Sequence, residues 1–149
     1  MIAHDLKIRV RYKETDQMGV VHHSNYICYY EAVRSSFMRW LGVSYAEMER
    51  RGVMMPILEV QSRYLWAAHY DEELTVRLMV SELPMARFSG SYEVYNEAGR
   101  LINTGSTTLG FIRCDTRRPC RAPEWFVELL RAKMEEGEKK GEEEKRENK

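Results

Sequence analysis

Across 149 residues, 23 basic side chains balance 23 acidic ones, and the zero formal net charge lacks the positive excess that nucleic-acid binding requires. The length fits one domain with a substantial core, and fractions of 44% hydrophobic and 31% charged residues exclude a disordered or fibrous chain. Cys28, Cys114 and Cys120 cannot all pair, the N-terminus lacks a signal peptide's apolar stretch, and no apolar run nears the ~18 residues of a membrane span; free thiols and a cytoplasmic location are expected.

Leu6, Ile8, Val10 and Tyr12 alternate with Lys7, Arg9 and Arg11, which predicts a strand over 6–12. Glu14 to Gly19 is polar and reads as a loop. From Asn25 the period changes: Tyr26, Tyr30, Val33, Phe37 and Leu41 share one helical face, with Ser24 or Asn25 as cap and Gly42 as stop. Ile27, Cys28, Tyr29 and Trp40 widen the apolar surface, so this helix is expected to be enclosed. Ser44 to Glu47 matches a capping box for a short second helix ending at Gly52. Strands follow over 57–67, 74–81, 87–95 and 101–112, and Pro123 opens a C-terminal helix carrying Trp125, Phe126, Leu129 and Leu130. Beyond Glu135 almost every residue is charged, Gly or Asn. The boundaries expected are a domain over 1–136 and a disordered, solvated tail over 137–149. A strand, an enclosed helix and a run of antiparallel strands make an α+β layer.

The chemistry concentrates in Tyr12-Lys-Glu-Thr-Asp-Gln-Met-Gly-Val-Val-His-His-Ser-Asn-Tyr26. Asp16 stands in a loop leading into the helix N-terminus, where unpaired N–H groups can stabilise the oxyanion of an attacked thioester carbonyl. A carboxylate opposite them can attack that carbon or deprotonate a water. An Asp in a polar turn serves equally as an Asx-turn residue, and spacing alone does not choose. His22 and His23 are adjacent, and Glu31 adds no ligand spacing, so no metal site is expected.

Residues 11–34 resemble the 4-hydroxybenzoyl-CoA thioesterase family, closest to the bacterial short-chain acyl-CoA thioesterases associated with the Tol–Pal gene cluster. The resemblance rests on Tyr12, on T-D-x-x-G-x-V from Thr15 to Val21, on His23, on Asn25-Tyr26 and on Tyr30-Glu-Ala-Val-Arg34, and it extends over 6–130. It implies a hotdog fold, a five-stranded antiparallel sheet wrapped around one long helix. It also implies homodimers commonly paired into homotetramers, active sites at subunit interfaces, and hydrolysis of acyl-CoA to free acid and CoA without a cofactor. Asp16 falls on the family's catalytic carboxylate, His23 on the helix-start position whose N–H meets the thioester oxygen, and Tyr12 on a tyrosine near the Asp. For the His23 ring and for Tyr12, roles in packing remain equally open.

Arg87, Ser89, Arg113, Arg117 and Arg118 are candidates for the CoA phosphates, because relatives place such residues at strand ends near the subunit interface, while a plain solvated charge is the readier reading of each; Met55, with Met54 and Leu58, suits the acyl end or plain core packing. Gln17-Met18 departs from the Gly or Ala that many relatives carry after the Asp, which leaves short-chain and aromatic acyl groups both open. The alternative from another class is a non-catalytic acyl-CoA-binding protein on the same fold. A hotdog dehydratase needs a His and acidic pair that is not found. Outward apolar residues, Ile57, Leu65, Ile102 and Ile112, point to an oligomer.

Overall fold

The computed structural model describes residues 1–149. Strand β1 (Ile2–Arg9) precedes the long helix α1 (Ser24–Leu41) and the short helix α2 (Tyr45–Arg50). Then come β2 (Val53–Met54), β3 (Ile57–Tyr64), β4 (Glu73–Val80), β5 (Arg87–Tyr95), β6 (Leu101–Gly110), β7 (Ile112–Arg113) and helix α3 (Glu124–Glu147). β1, β4, β5, β6 and β3 form one antiparallel sheet in that order, and β2 pairs with β7 in a two-residue ribbon. The sheet packs against α1, which is the hotdog arrangement expected from the resemblance.

Period two and period 3.6 meet in the core. The inward residues of β4 (Leu74, Val76, Leu78 and Val80) are buried, as are Tyr30, Val33 and Phe37 of α1. Phe88 of β5 bridges Phe37 to Phe126 of α3, with ring centroids 6.3 and 5.8 Å apart. Truncating one such buried aromatic costs about 3–5 kcal/mol. Gly42 ends α1 at φ 96°, and its N–H caps the carbonyls of Met38 and Arg39.

Toward β6 the core turns polar. Tyr30 stacks on Tyr92 at 4.3 Å, and its hydroxyl bonds Ser62 at 2.9 Å and donates to Asn103. The Asn103 amide donates to Ser62 and to the Arg63 carbonyl, both at 3.0 Å. Arg34, only 6% exposed, donates to the Tyr92 hydroxyl, which also bonds Thr107. Burial pushes the Tyr30 hydroxyl up to about 12, so it stays protonated and can donate at neutral pH. Gly105 lies beneath the Tyr30 ring: a Cβ there would collide with the hydroxyl.

Four expectations need correction. First, β1 begins at Ile2 and stops at Arg9, and Tyr12 sits in a 3-10 turn (Tyr12–Glu14). Second, Ile102 is buried, not outward, because β6 buries both Ile102 and Asn103 beside a register shift at Val94/Tyr95. The outer sheet face carries Ser89, Ser91, Thr104, Ser106 and Thr108 rather than an apolar surface, while Ile57 and Leu65 at the β3 edge are exposed and Ile112 is half-buried. Third, α1 is not enclosed on all sides: Ile27, Cys28, Glu31 and Trp40 are exposed.

Fourth, the segment expected as a disordered tail is helical, since α3 runs to Glu147. Glu and Lys are good helix formers, and the segment extends a helix already nucleated by packing at Phe126 and Leu130. All of 137–149 is exposed except Gly141, which is half-buried. Deleting 137–149 is therefore expected to leave turnover unchanged and to move Tm by less than about 2 °C. Differential scanning calorimetry of the truncated chain checks this; a large fall in Tm would mean that the extension packs on the domain.

Candidate active site

The loop between β1 and α1 folds back on itself. Thr15 and Val21 form an antiparallel bridge, the Asp16 N–H donates to the Val20 carbonyl at 2.8 Å, and the Gly19 N–H closes on the Asp16 carbonyl at 3.0 Å. Asp16 Oδ1 accepts the N–H of Met18 at 2.8 Å and of Val20 at 3.4 Å. This is the Asx-turn arrangement weighed above, but it occupies one oxygen only: Oδ2 accepts no hydrogen bond within the chain. The loop is pinned from outside by the Val21 N–H on the Ala68 carbonyl at 2.9 Å and by a bridge between Val20 and His69.

Glu14, 5% exposed, ties the loop's base to the helix start. Its carboxylate accepts the Arg11 N–H at 2.7 Å, while its carbonyl accepts the His22 N–H at 2.8 Å and the Asn25 side-chain amide at 2.9 Å. Burial drives the neighbouring Tyr29 hydroxyl's pKa upward, and the Glu14 charge adds to it. No side-chain oxygen caps α1, contrary to the roles expected of Ser24 and Asn25. Instead the His22 ring nitrogen lies 3.2 Å from the Ser24 N–H, and the His23 N–H makes no hydrogen bond within the chain. The His23 carbonyl is held by the Tyr64 hydroxyl at 2.9 Å.

Asp16 and His23 line the same cleft, of about 320 Å³, walled by Met18, Tyr26, Tyr64 and Trp66. The Tyr26 and Tyr64 rings meet edge to face at 5.3 Å, and the Arg100 guanidinium covers Trp66 at 3.5 Å. A carboxylate oxygen and an unpaired N–H at a helix N-terminus, set in one apolar-walled cleft, can polarise a carbonyl and deliver a nucleophile to it. Tyr64 and Trp66 escaped the sequence reading as site residues. Their signal was the large aromatic pair closing the alternation of 57–67, which read as ordinary strand.

The other candidates disperse. Tyr12 is 77% exposed, meets Tyr70 edge to face at 5.8 Å and does not line the cleft. It is therefore not an inward strand residue. Met55 and Arg117 line a second cavity, of about 350 Å³, with Tyr45, Met48 and Met54. Arg117 holds φ 62°, an uncommon conformation for a residue with a side chain, at the tip of the turn between Arg113 and Arg118. Arg113 is paired with Asp115 at 3.2 Å, Arg118 is exposed at that tip, and Arg87 and Ser89 are exposed on β5.

No three His, Cys, Asp or Glu side chains gather as a metal-binding group. Chelators are accordingly expected to leave any turnover unchanged; loss with EDTA, restored by a divalent ion, would give His22 and His23 a metal role. No helix is long and apolar enough to cross a membrane.

Residues 10–130 match the family described as the thioesterase-like superfamily. A Bacillus subtilis protein, YneP, provisionally named an acyl-CoA thioesterase, is 30% identical over 131 residues, covering 85% of this chain and 95% of its own. The Helicobacter pylori acyl-CoA thioesterase YbgC is 29% identical over 135 residues, covering 85% of this chain and 99% of its own. Among solved structures, a DHNA-CoA thioesterase from Staphylococcus aureus superposes with a TM-score of 0.83 at 35% identity, covering 95% of each chain.

Proposed function

Since the chain belongs to the thioesterase-like superfamily, we propose that it hydrolyses acyl-CoA thioesters to a free acid and CoA, with Asp16 delivering the attack. The observation that carries this reading is the pairing, in one cleft, of a carboxylate with a free oxygen and the unpaired His23 N–H. The thioester oxygen sits at the His23 N–H, where helix N-terminal charge stabilises the oxyanion. Asp16 attacks the carbon directly, giving a mixed anhydride that water opens, or takes a proton from an attacking water; in both cases CoA leaves as the thiolate. Met18, Tyr64 and Trp66 give the cleft an apolar wall beside the reacting groups.

CoA's phosphates are assigned to exposed cations, with Arg117 and Arg118 favoured because they stand side by side on one turn and, unlike Arg113, are not committed to an ion pair. Arg87, Ser89 and Arg113 remain secondary candidates. The oligomer proposed is at least a dimer, built through β3. That strand pairs β6 on one side only, and along it only Val60 and Ser62 are even half-buried. Thiol release from a panel of acetyl-, octanoyl- and benzoyl-CoA tests the activity. Turnover of none of them, with binding retained, would favour a non-catalytic acyl-CoA-binding protein.

A further inference from the structure

From Val21 to Tyr26 the chain passes from the Asp16 loop into α1, and its backbone N–H groups find acceptors with one exception. Val21 donates to the Ala68 carbonyl, His22 to Glu14, Asn25 to His22 and Tyr26 to His23, while the Ser24 N–H meets the His22 ring nitrogen. Only the His23 N–H is left over. Where that donor points depends on the peptide unit joining His22 to His23. A trans peptide is planar, with its C=O and N–H directed oppositely, so whatever fixes the His22 carbonyl also aims the His23 N–H.

Asn25 holds the His22 carbonyl twice. That oxygen accepts the Asn25 N–H at 3.0 Å and the Asn25 side-chain amide at 3.2 Å. The same amide also donates to the Glu14 carbonyl at 2.9 Å. Both partners are carbonyl oxygens, which only accept, so it is the amide nitrogen that faces them. Glu14 and His22 stand on the two arms of the loop that carries Asp16, already joined by the His22 N–H on the Glu14 carbonyl at 2.8 Å. One side-chain amide therefore spans the neck of the loop and holds the peptide plane that presents the free donor. Asn25 is half-buried in the first turn of α1, so both parts of the site are anchored to the helix.

We infer that Asn25 is a positioning residue for the hydrolysis: its side-chain amide sets the aim of the His23 N–H and its separation from Asp16. Asn25 itself does not line the cleft. The inference rests on Asp16 and His23 as the attacking carboxylate and the oxyanion donor. It also replaces the capping role expected of Asn25, because a cap accepts a helix N–H through its side-chain oxygen, whereas this side chain donates. An oxyanion donor acts only when aimed at the place where charge develops, and a displacement of about 1 Å can cost on the order of 100-fold in rate.

Asn25→Leu tests it, since leucine has nearly the branched shape of asparagine and no hydrogen-bonding group. The neck keeps its backbone bonds: the Glu14 carbonyl retains the His22 N–H, and the His22 carbonyl retains the N–H of residue 25. The variant is therefore expected to fold, and Asn25→Ala serves where leucine does not fit. The substrate is whichever of acetyl-, octanoyl- and benzoyl-CoA the wild type turns over fastest. On it, kcat is expected to fall about 10- to 100-fold while KM changes by less than about threefold. A side chain that only stabilised the helix start would lower Tm and leave the kcat of the folded protein unchanged. A folded Asn25→Leu protein with wild-type kcat overturns the inference, and so does a loss confined to KM. Wild-type turnover by Asp16→Asn would overturn the catalytic reading beneath it, a result read from a different variant.

Discussion

Asp16→Asn is expected to lower kcat by about 10³-fold or more, a loss of ~4 kcal/mol of transition-state stabilisation, while Tm and oligomeric state stay unchanged. The geometry of the turn is what makes the experiment clean. Asp16 Oδ1 accepts the N–H groups of Met18 and Val20, and the asparagine carbonyl can accept the same two. Only Oδ2, the oxygen without a partner in the chain, is exchanged for an amide that neither attacks nor takes a proton. Asp16→Ala removes both oxygens and is expected to loosen the loop as well. Steady-state kinetics with circular dichroism and thermal melts on both variants separate chemistry from folding. A well-folded Asp16→Asn protein with near-normal turnover would return Asp16 to its role as a turn residue.

The second large effect concerns β3. In a two-fold antiparallel pair centred at Gln61, just past the strand's midpoint, that residue would meet its own copy and Ile57 the far end of its mate. Both side chains are exposed in the single chain, so placing lysine at each should leave the subunit folded. Like charges brought together across a pairing edge cost several kcal/mol, and the combined Ile57→Lys and Gln61→Lys variant is expected to weaken the dimer about 100-fold or more. Light scattering at low protein concentration should show an oligomer for wild type and a monomer for the variant, with kcat/KM falling as the dimer dissociates. A stable monomer with full activity would refute shared sites.

The sequence displays those features that depend on local repetition. The apolar period of Tyr26, Tyr30, Val33, Phe37 and Leu41 is that of a helix face packed on a sheet, and α1 fills the span it predicts. Asp16 and His23 could be placed at one site because few residues separate them and a recognisable motif contains both. Features made by distant residues were hidden. His4 occupies an inward position of β1, hydrogen-bonded to Ser36 at 2.9 Å, so a polar letter masked the strand's true start. The β2–β7 ribbon joins Val53 to Arg113 through two residues on each side, too few to show a period. In β6 the inward positions are Asn103, Gly105 and Thr107, polar or small because tyrosine hydroxyls approach from α1 and β5. Strict alternation with these positions puts Ile102 on the outer face, and only the register shift at Val94/Tyr95 turns it inward.

That same polar layer narrows the paths open to sequence drift. Tyr30, Ser62, Asn103 and Gly105 form one packed, hydrogen-bonded unit: the hydroxyl needs its two partners, and the ring needs the missing Cβ. Replacing Tyr30 with Phe would strand the Asn103 carbonyl oxygen, and an alanine at 105 would displace the ring that anchors α1 to the edge of the sheet. Lineages can leave this arrangement only by exchanging several members together, so its four positions should diverge in concert while the charged face of α3 varies freely.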